Sequence, residues 1–261
     1  MIIEFFSVTD TGRARRNNED AVALDEAGGI AVLADGMGGY NAGEIASGMA
    51  SARVKEHLGQ RLRGLGAAPA DAEIRLALLD AVENANREVF AAATAHAEYA
   101  GMGTTLIVAL FHGDRLWLGH IGDSRAYRLR GGRLEQITRD HSLLQEQIDA
   151  GLITAEQAAY SMHKNLVTRA VGVDEVVDLE IHDHPVEPGD LLLMCSDGLS
   201  DMLTDDQIAQ LLRANDSLPA AGAVLVQAAN GAGGRDNISV ILARAKTGPR
   251  EPAKSWWSFW R

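Results

Sequence analysis

IAVLADGMGG, residues 30–39, is a run of five apolar side chains that stops at Asp35 and passes into Gly36, Met37, Gly38 and Gly39. A short apolar run bounded by glycine reads as a strand buried on both faces. The turns after such strands are where a rigid scaffold presents functional groups. The same signature recurs. LWLGHI (116–121) runs into Gly122, Asp123 and Ser124, and LLLMCS (191–196) runs into Asp197 and Gly198. Asp236 stands just before Asn237 and the apolar stretch ISVILA (238–243). One such aspartate is explained as a turn or helix cap, a common use of Asp. Four at strand ends, three of them paired with glycine, ask for more. Carboxylates converging in a core repel one another unless a cation sits between them.

The strand-like segments come in pairs. TTLIVAL (104–110) and RLWLGHI (115–121) flank a tight link at Phe111, His112, Gly113 and Asp114; RAYRLR (125–130) and RLEQIT (133–138) flank Gly131 and Gly132. Two glycines between such runs are a hairpin signal. The sheets are therefore expected to be largely antiparallel, against a doubly wound parallel fold. Helices fall between these blocks. Residues 71–90 put Ile74, Leu78, Val82, Ala85 and Val89 on one face, with Asp71 as the expected N-cap. Thr154 with Gln157 and Thr204 with Gln207 each fit a capping box. Residues 43–58 read helical and are rich in Ala, Ser and Gly. No repeat or interdomain linker interrupts the chain, so one α+β domain is expected over residues 1–244.

The chain has 261 residues, enough for a sizeable core, with 46% hydrophobic and 23% charged residues. Its 24 Lys and Arg stand against 36 Asp and Glu, a net charge of −12, which argues against a nucleic-acid partner. The single cysteine, Cys195, excludes an internal disulfide framework and a cysteine-rich zinc site. The start, MIIEFFSVTD, is too short and acidic for a signal peptide, and no apolar run approaches a membrane span, so a cytoplasmic location is expected. Candidate ligands are hard oxygens without paired histidines, which favours Mg²⁺ or Mn²⁺ over zinc. Two such ions can activate one water and clamp an oxyanion, and the chemistry suggested is hydrolysis of a phosphate ester.

In chain order, further motifs join these. Gly12, Arg13, Arg15 and Arg16 precede Asn17-Asn18-Glu19-Asp20, and Gly43-Glu44-Ile45-Ala46-Ser47 follows the Asp35 motif. Gly103-Thr104-Thr105, Asp140-His141-Ser142 and Thr168-Arg169-Ala170 complete the series between about residues 7 and 243. Each is weak alone; in order, they resemble the metal-dependent Ser/Thr protein phosphatase family (type 2C, or PPM) in its bacterial form. The resemblance implies a four-layer α-β-β-α sandwich of two antiparallel sheets flanked by helices. It implies hydrolysis of phosphoserine and phosphothreonine in proteins by water activated at a Mn²⁺ or Mg²⁺ centre, with two core ions and a third in bacterial members. Asp35 would bridge two metals, with the Gly36 carbonyl as a further ligand. Asp197 and Asp236 would complete the other metal's shell, and Asp123 with Asp197 would take the third ion. Glu19 and Asp20 would hold metal-bound waters, Asn237 supporting beside Asp236. Arg15 would grip the substrate phosphate, a task suited to a forked, permanently charged guanidinium. Arg13 and Arg16 lie close enough to compete on spacing, with surface charge the favoured role. Attack on phosphorus would be direct, without a phosphoenzyme, and Asp35 and Arg15 would be the catalytic residues. The implied partners are phosphorylated proteins and an opposing bacterial eukaryotic-like Ser/Thr kinase.

The chain departs from the family at two places. Met37 stands where many eukaryotic members carry the histidine proposed as general acid; His141 and His163 are the stand-ins, each more readily structural or surface. The segment 143–165 corresponds to the bacterial flap, where His-Pro often precedes an Asn by four and three residues; here Ser161 and Met162 precede Asn165. Two other readings remain. One is a catalytically dead phosphoprotein-binding module, whose mark would be lost metal ligands. The other is a hydrolase of small phosphorylated metabolites on the same fold. The last seventeen residues, 245–261, differ in kind: three of the four tryptophans, two prolines and four basic residues against one acidic. This tail reads as a basic linker with an aromatic plug (residues 256–260) that folds onto an apolar groove, or meets a partner or membrane surface. A monomer is expected.

Overall fold

A computed structural model describes residues 1–39, 42–66, 69–159 and 166–248. One sheet orders β1 (Ile2–Asp10), β11 (Ile238–Lys246), β10 (Leu191–Cys195), β7 (Arg125–Arg130) and β8 (Arg133–Gln136). The other orders β2 (Asp20–Asp25), β3 (Ile30–Met37), β5 (Leu106–His112), β6 (Arg115–Ile121) and β9 (Glu180–Pro185), with the two-residue β4 (Gly103–Thr104) also on β3. Every ladder is antiparallel.

The continuous apolar runs are explained by layering, because each strand alternates its side chains between two hydrophobic environments. From β3, Ala31 and Leu33 meet Ile107, Ala109, Leu116 and Leu118 of their own sheet and Leu192, Met194, Ile241 and Ala243 of the other, forming the core between the sheets. Ile30, Val32 and Ala34 turn the opposite way, onto α1 (Ala42–Gly64) and α2 (Asp71–Ala95) through Ala46, Val54, Leu58, Leu78 and Val82. On the far side Leu191, Leu193, Val240 and Leu242 pack against α6 (Asp205–Arg213) and α7 (Leu218–Gly231). This is the four-layer α-β-β-α sandwich. Short helices α3 (Leu143–Asp149), α4 (Ala155–Ala159) and α5 (Asp197–Ser200) lie in the connections.

Local expectations hold at the Gly131-Gly132 hairpin, where both residues have positive φ (56° and 82°), and at the Thr154 and Thr204 capping boxes, each closed by its glutamine. Asp71 is not the cap of α2. It is the first helical residue after Ala70, whose backbone N–H donates to Glu73 at 2.8 Å. A carboxylate in the first turn still favours the helix dipole, which is why the signal looked like a cap. The strand expected over 104–110 is broken at Thr105, and the last strand continues to Lys246. The tail from residue 249 lies outside the described residues.

Close backbone approach restricts Gly198 to glycine. A Cβ on Gly198, the first turn of α5, would lie 2.0 Å from the carbonyl oxygen of Asn237. Gly198→Ala is expected to destabilise the protein by roughly 2–4 kcal/mol, because both neighbours are main chain and cannot yield without moving the site. Urea unfolding of the variant checks this.

Candidate metal centre

Five aspartates from separate elements reach one place at the ends of the strands. Asp20 opens β2 and sits opposite Asp35, near the end of β3, in the ladder. Asp123 lies in the turn after β6, Asp197 starts α5 after β10, and Asp236 precedes β11. Antiparallel pairing, together with the packing of the two sheets, carries these distant residues to a single edge.

Charge shows the convergence. The Asp35 carboxyl is pushed well above its ordinary range, by burial first and then by the neighbouring charges of Asp20, Asp197, Asp123 and Asp236. Asp197 is raised likewise by burial, then by Asp123 and Asp236. Asp20, 9% exposed, is pushed up to about 6, mainly by burial. Asp123 also rises to about 6 through burial and the charge of Asp140. Asp35, Asp123, Asp197 and Asp236 each keep partial solvent contact, as the floor of an open cleft would.

The carboxylates are held from behind by small polar side chains. The Ser196 hydroxyl donates to Asp20 Oδ2 at 2.7 Å and accepts from the Ser239 N–H. Asp20 Oδ1 is buried without a hydrogen-bond donor. Thr105 Oγ1 accepts the Asp35 N–H at 3.0 Å and lies 2.8 Å from the Ser124 hydroxyl, tying the Asp35 strand to the Asp123 turn. Ser47 of α1 donates to the Glu19 carbonyl, which also receives the Gly36 N–H. That approach explains the small residues of residues 43–58: a Cβ on Gly36 would lie 2.1 Å from the Gly43 carbonyl oxygen.

Asn237 joins the two halves of the site. Its Nδ2 donates to the carbonyls of Thr11 and Asn17, and its Oδ1 accepts the Glu19 N–H at 2.8 Å. Arg15 reaches over the mouth, its Nη2 bonding Asp236 Oδ2 at 2.8 Å with Glu19 3.8 Å away. Glu19 is raised, burial outweighing the attraction of Arg15. Arg13 and Arg16 are exposed.

Among the described residues no three His, Cys, Asp or Glu side chains are closed around a single ion position. The donor set nevertheless fits Mn²⁺ or Mg²⁺: hard carboxylate oxygens, an Asp20 oxygen buried without a donor, and mutual repulsion that a divalent cation relieves.

One sequence reading changes, and one is not reached. His141 is no general acid here: its Nδ1 accepts the Gly122 N–H and its Nε2 bonds Glu180 at 3.0 Å. His163, with Ser161, Met162 and Asn165 of the flap, lies outside the described residues. Thr105, Ser124 and Ser196 stood inside the quoted motifs but had no role until the fold brought them to the carboxylates. Hydroxyl residues flanking motif aspartates were the available signal.

The protein phosphatase 2C family model matches residues 11–239. The serine/threonine phosphatase stp of Listeria monocytogenes is 35% identical over 237 residues, covering 90% of this chain and 92% of that protein. The serine/threonine protein phosphatase PstP of Mycobacterium tuberculosis is 38% identical over 243 residues, 93% of this chain but 45% of that longer protein. Among solved structures, the catalytic domain of PstP in complex with two manganese ions superposes with a TM-score of 0.81 at 35% identity, covering 94% of this chain and 99% of that one.

Proposed function

The chain belongs to the protein phosphatase 2C family, and we propose which of its residues carry the reaction. It is a metal-dependent protein-serine/threonine phosphatase that uses Mn²⁺ or Mg²⁺, acting on phosphorylated proteins. The observation that carries the assignment is the position of Asp35, on which the charges of four other aspartates bear at once.

Asp35, Asp197, Asp236 and Asp123, with the Gly36 carbonyl and Asp20, would hold the ions; Glu19 and Asn237 support them from the Arg15 loop. The chemistry supplied there when ions are bound is activation of water and neutralisation of phosphoryl charge. Arg15, exposed at the mouth and anchored on Asp236, orients the phosphate with its second donor face and stabilises charge on the equatorial oxygens. No thiol route competes. Cys195 is buried in β10, and burial pushes its thiol up to about 12, so no thiolate is presented to phosphorus. Met37 cannot donate a proton, and both ring nitrogens of His141 are occupied, so the leaving oxygen takes its proton from neither.

The presence of all five aspartates at one edge speaks against the dead-module reading. The opposing partner is a bacterial Ser/Thr kinase, and the protein acts as a monomer in the cytoplasm; among the described residues no helix is long and apolar enough to cross a membrane. The domain runs through Lys246, where β11 pairs with β1 two residues past the expected boundary at 244, and the Trp-rich remainder of the tail contacts a partner or membrane surface. The test is hydrolysis of a phosphothreonine peptide with Mn²⁺, with Mg²⁺ and with chelator. Turnover that needs the metal and exceeds that on small phosphorylated metabolites is expected. A folded protein that binds the peptide without hydrolysing it would sink the assignment.

A further inference from the structure

We propose that His141 is a positioning residue for Asp123, holding its turn through a Glu180–His141–Gly122 relay. Two bonds join His141 to the residue before Asp123. The Gly122 N–H donates to Nδ1 at 3.2 Å, and the His141 N–H donates to the Gly122 carbonyl at 2.8 Å. Accepting at Nδ1 puts the ring proton on Nε2, where it is donated to Glu180 Oε2 at 3.0 Å. The second oxygen of Glu180 bonds His182, so the carboxylate is itself oriented on β9. His141 is 7% exposed, and its ring lies against that of His120, centroids 4.8 Å apart and planes tilted by 33°; His120 bonds the Ser124 carbonyl.

Asp140 grips the other side of the same turn. Arg125, two residues past Asp123, donates to it from Nε at 3.0 Å and from Nη2 at 2.6 Å. Asp140 and His141 therefore clamp Asp123 from both flanks. The turn needs a clamp, because residues 122–124 lie between β6 and β7, outside any ladder, with Gly122 at a φ of +104°. The same clamp carries the neighbouring segment: the His141 carbonyl accepts the Thr168 N–H, and Leu143 donates to the Leu166 carbonyl. His141 is thus bonded on one side to the Asp123 turn and on the other to Thr168, just past a connection whose own ends pair through Leu143 and Leu166.

The inference rests on Asp123 holding an ion, and its test separates the two. Free Mn²⁺ is followed by its paramagnetic resonance as the ion is titrated into the metal-free wild type, Asp123→Asn, His141→Ala, His141→Asn and Glu180→Ala. Asp123→Asn is expected to remove one binding step. His141→Ala should weaken that same step about tenfold and leave the others unmoved, as loss of a group orienting a ligand does. His141→Asn, whose Oδ1 can still accept the Gly122 N–H, should recover part of the loss. Glu180→Ala, on an edge strand, should weaken the step several-fold and guards against a His141→Ala protein that fails to fold. Unchanged isotherms in folded His141→Ala or Glu180→Ala, with the step lost in Asp123→Asn, overturn the positioning role alone. An unchanged isotherm in Asp123→Asn removes the ligand role and the inference with it.

Discussion

Asp35→Asn is expected to abolish metal-dependent turnover and, in the metal-free protein, to raise the melting temperature. The two effects share one cause. Ionisation of Asp35 among four other carboxylates is opposed by burial first and then by their charges. Without a cation, that charge is a cost to the fold. Its folded-state pKa lies above the ordinary 3.8, so the cost is full at pH above the folded value and fades as pH falls toward 3.8. Metal-free wild type should therefore gain stability from this residue on acidification below neutrality. Asn at this position removes the charge at every pH. We expect the melting temperature to rise at pH 7.5, with the gain shrinking toward pH 4. His120 tilts the other way: burial holds its imidazole neutral down to about 4, so protonation of the unfolded state costs stability below about 6.5. That contribution is common to both proteins and cancels in their difference. Catalysis should fall by roughly 100-fold or more, since several kcal/mol of transition-state stabilisation depend on the centre. Melting curves from pH 4 to 8 in chelator, with peptide turnover in Mn²⁺, read both arms. A metal-free Asp35→Asn that melts lower than wild type at neutral pH contradicts the account.

The strand-end aspartates were legible because the local signal and the global one coincide. A strand covered on both faces must be continuously apolar, so a charge enters only near its end: Asp35 stands two residues before the end of β3 and Asp197 two residues past β10. β9 was not legible. Its Glu180, His182, Asp183 and His184 look like loop residues, and the strand is held at the sheet edge by pairing with β6 alone. β1 and β2 lacked the unbroken apolar run because their side chains are mostly half-buried. The supports of the site escaped for a different reason. Thr105 meets Asp35 from 70 residues away and Ser196 meets Asp20 across 176, distances no local pattern encodes.

Asn237 is the extreme of that class, and Asn237→Ala carries the largest expected loss of stability. Its side chain is 3% exposed and makes three bonds to residues 218 to 226 positions away. Alanine removes the Asn237 bond from the Thr11 carbonyl, the Asn17 carbonyl and the Glu19 N–H. A part-buried group stripped of its bond costs about 1–3 kcal/mol, so a total on the order of 3–5 kcal/mol is expected. The damage reaches function because those three groups position the loop bearing Arg15, Glu19 and Asp20. A loosened loop lets Arg15 leave Asp236, so KM for the phosphopeptide should rise as kcat falls. Asn237→Asp sharpens the test. It keeps an oxygen for the Glu19 N–H but can no longer donate to two carbonyls, and it adds a charge beside Asp236. It should therefore recover little stability, whereas a site that merely needed bulk at this position would recover most of it. Urea unfolding of both variants with phosphopeptide kinetics distinguishes these outcomes. Wild-type stability in Asn237→Ala would mean that the loop is anchored elsewhere.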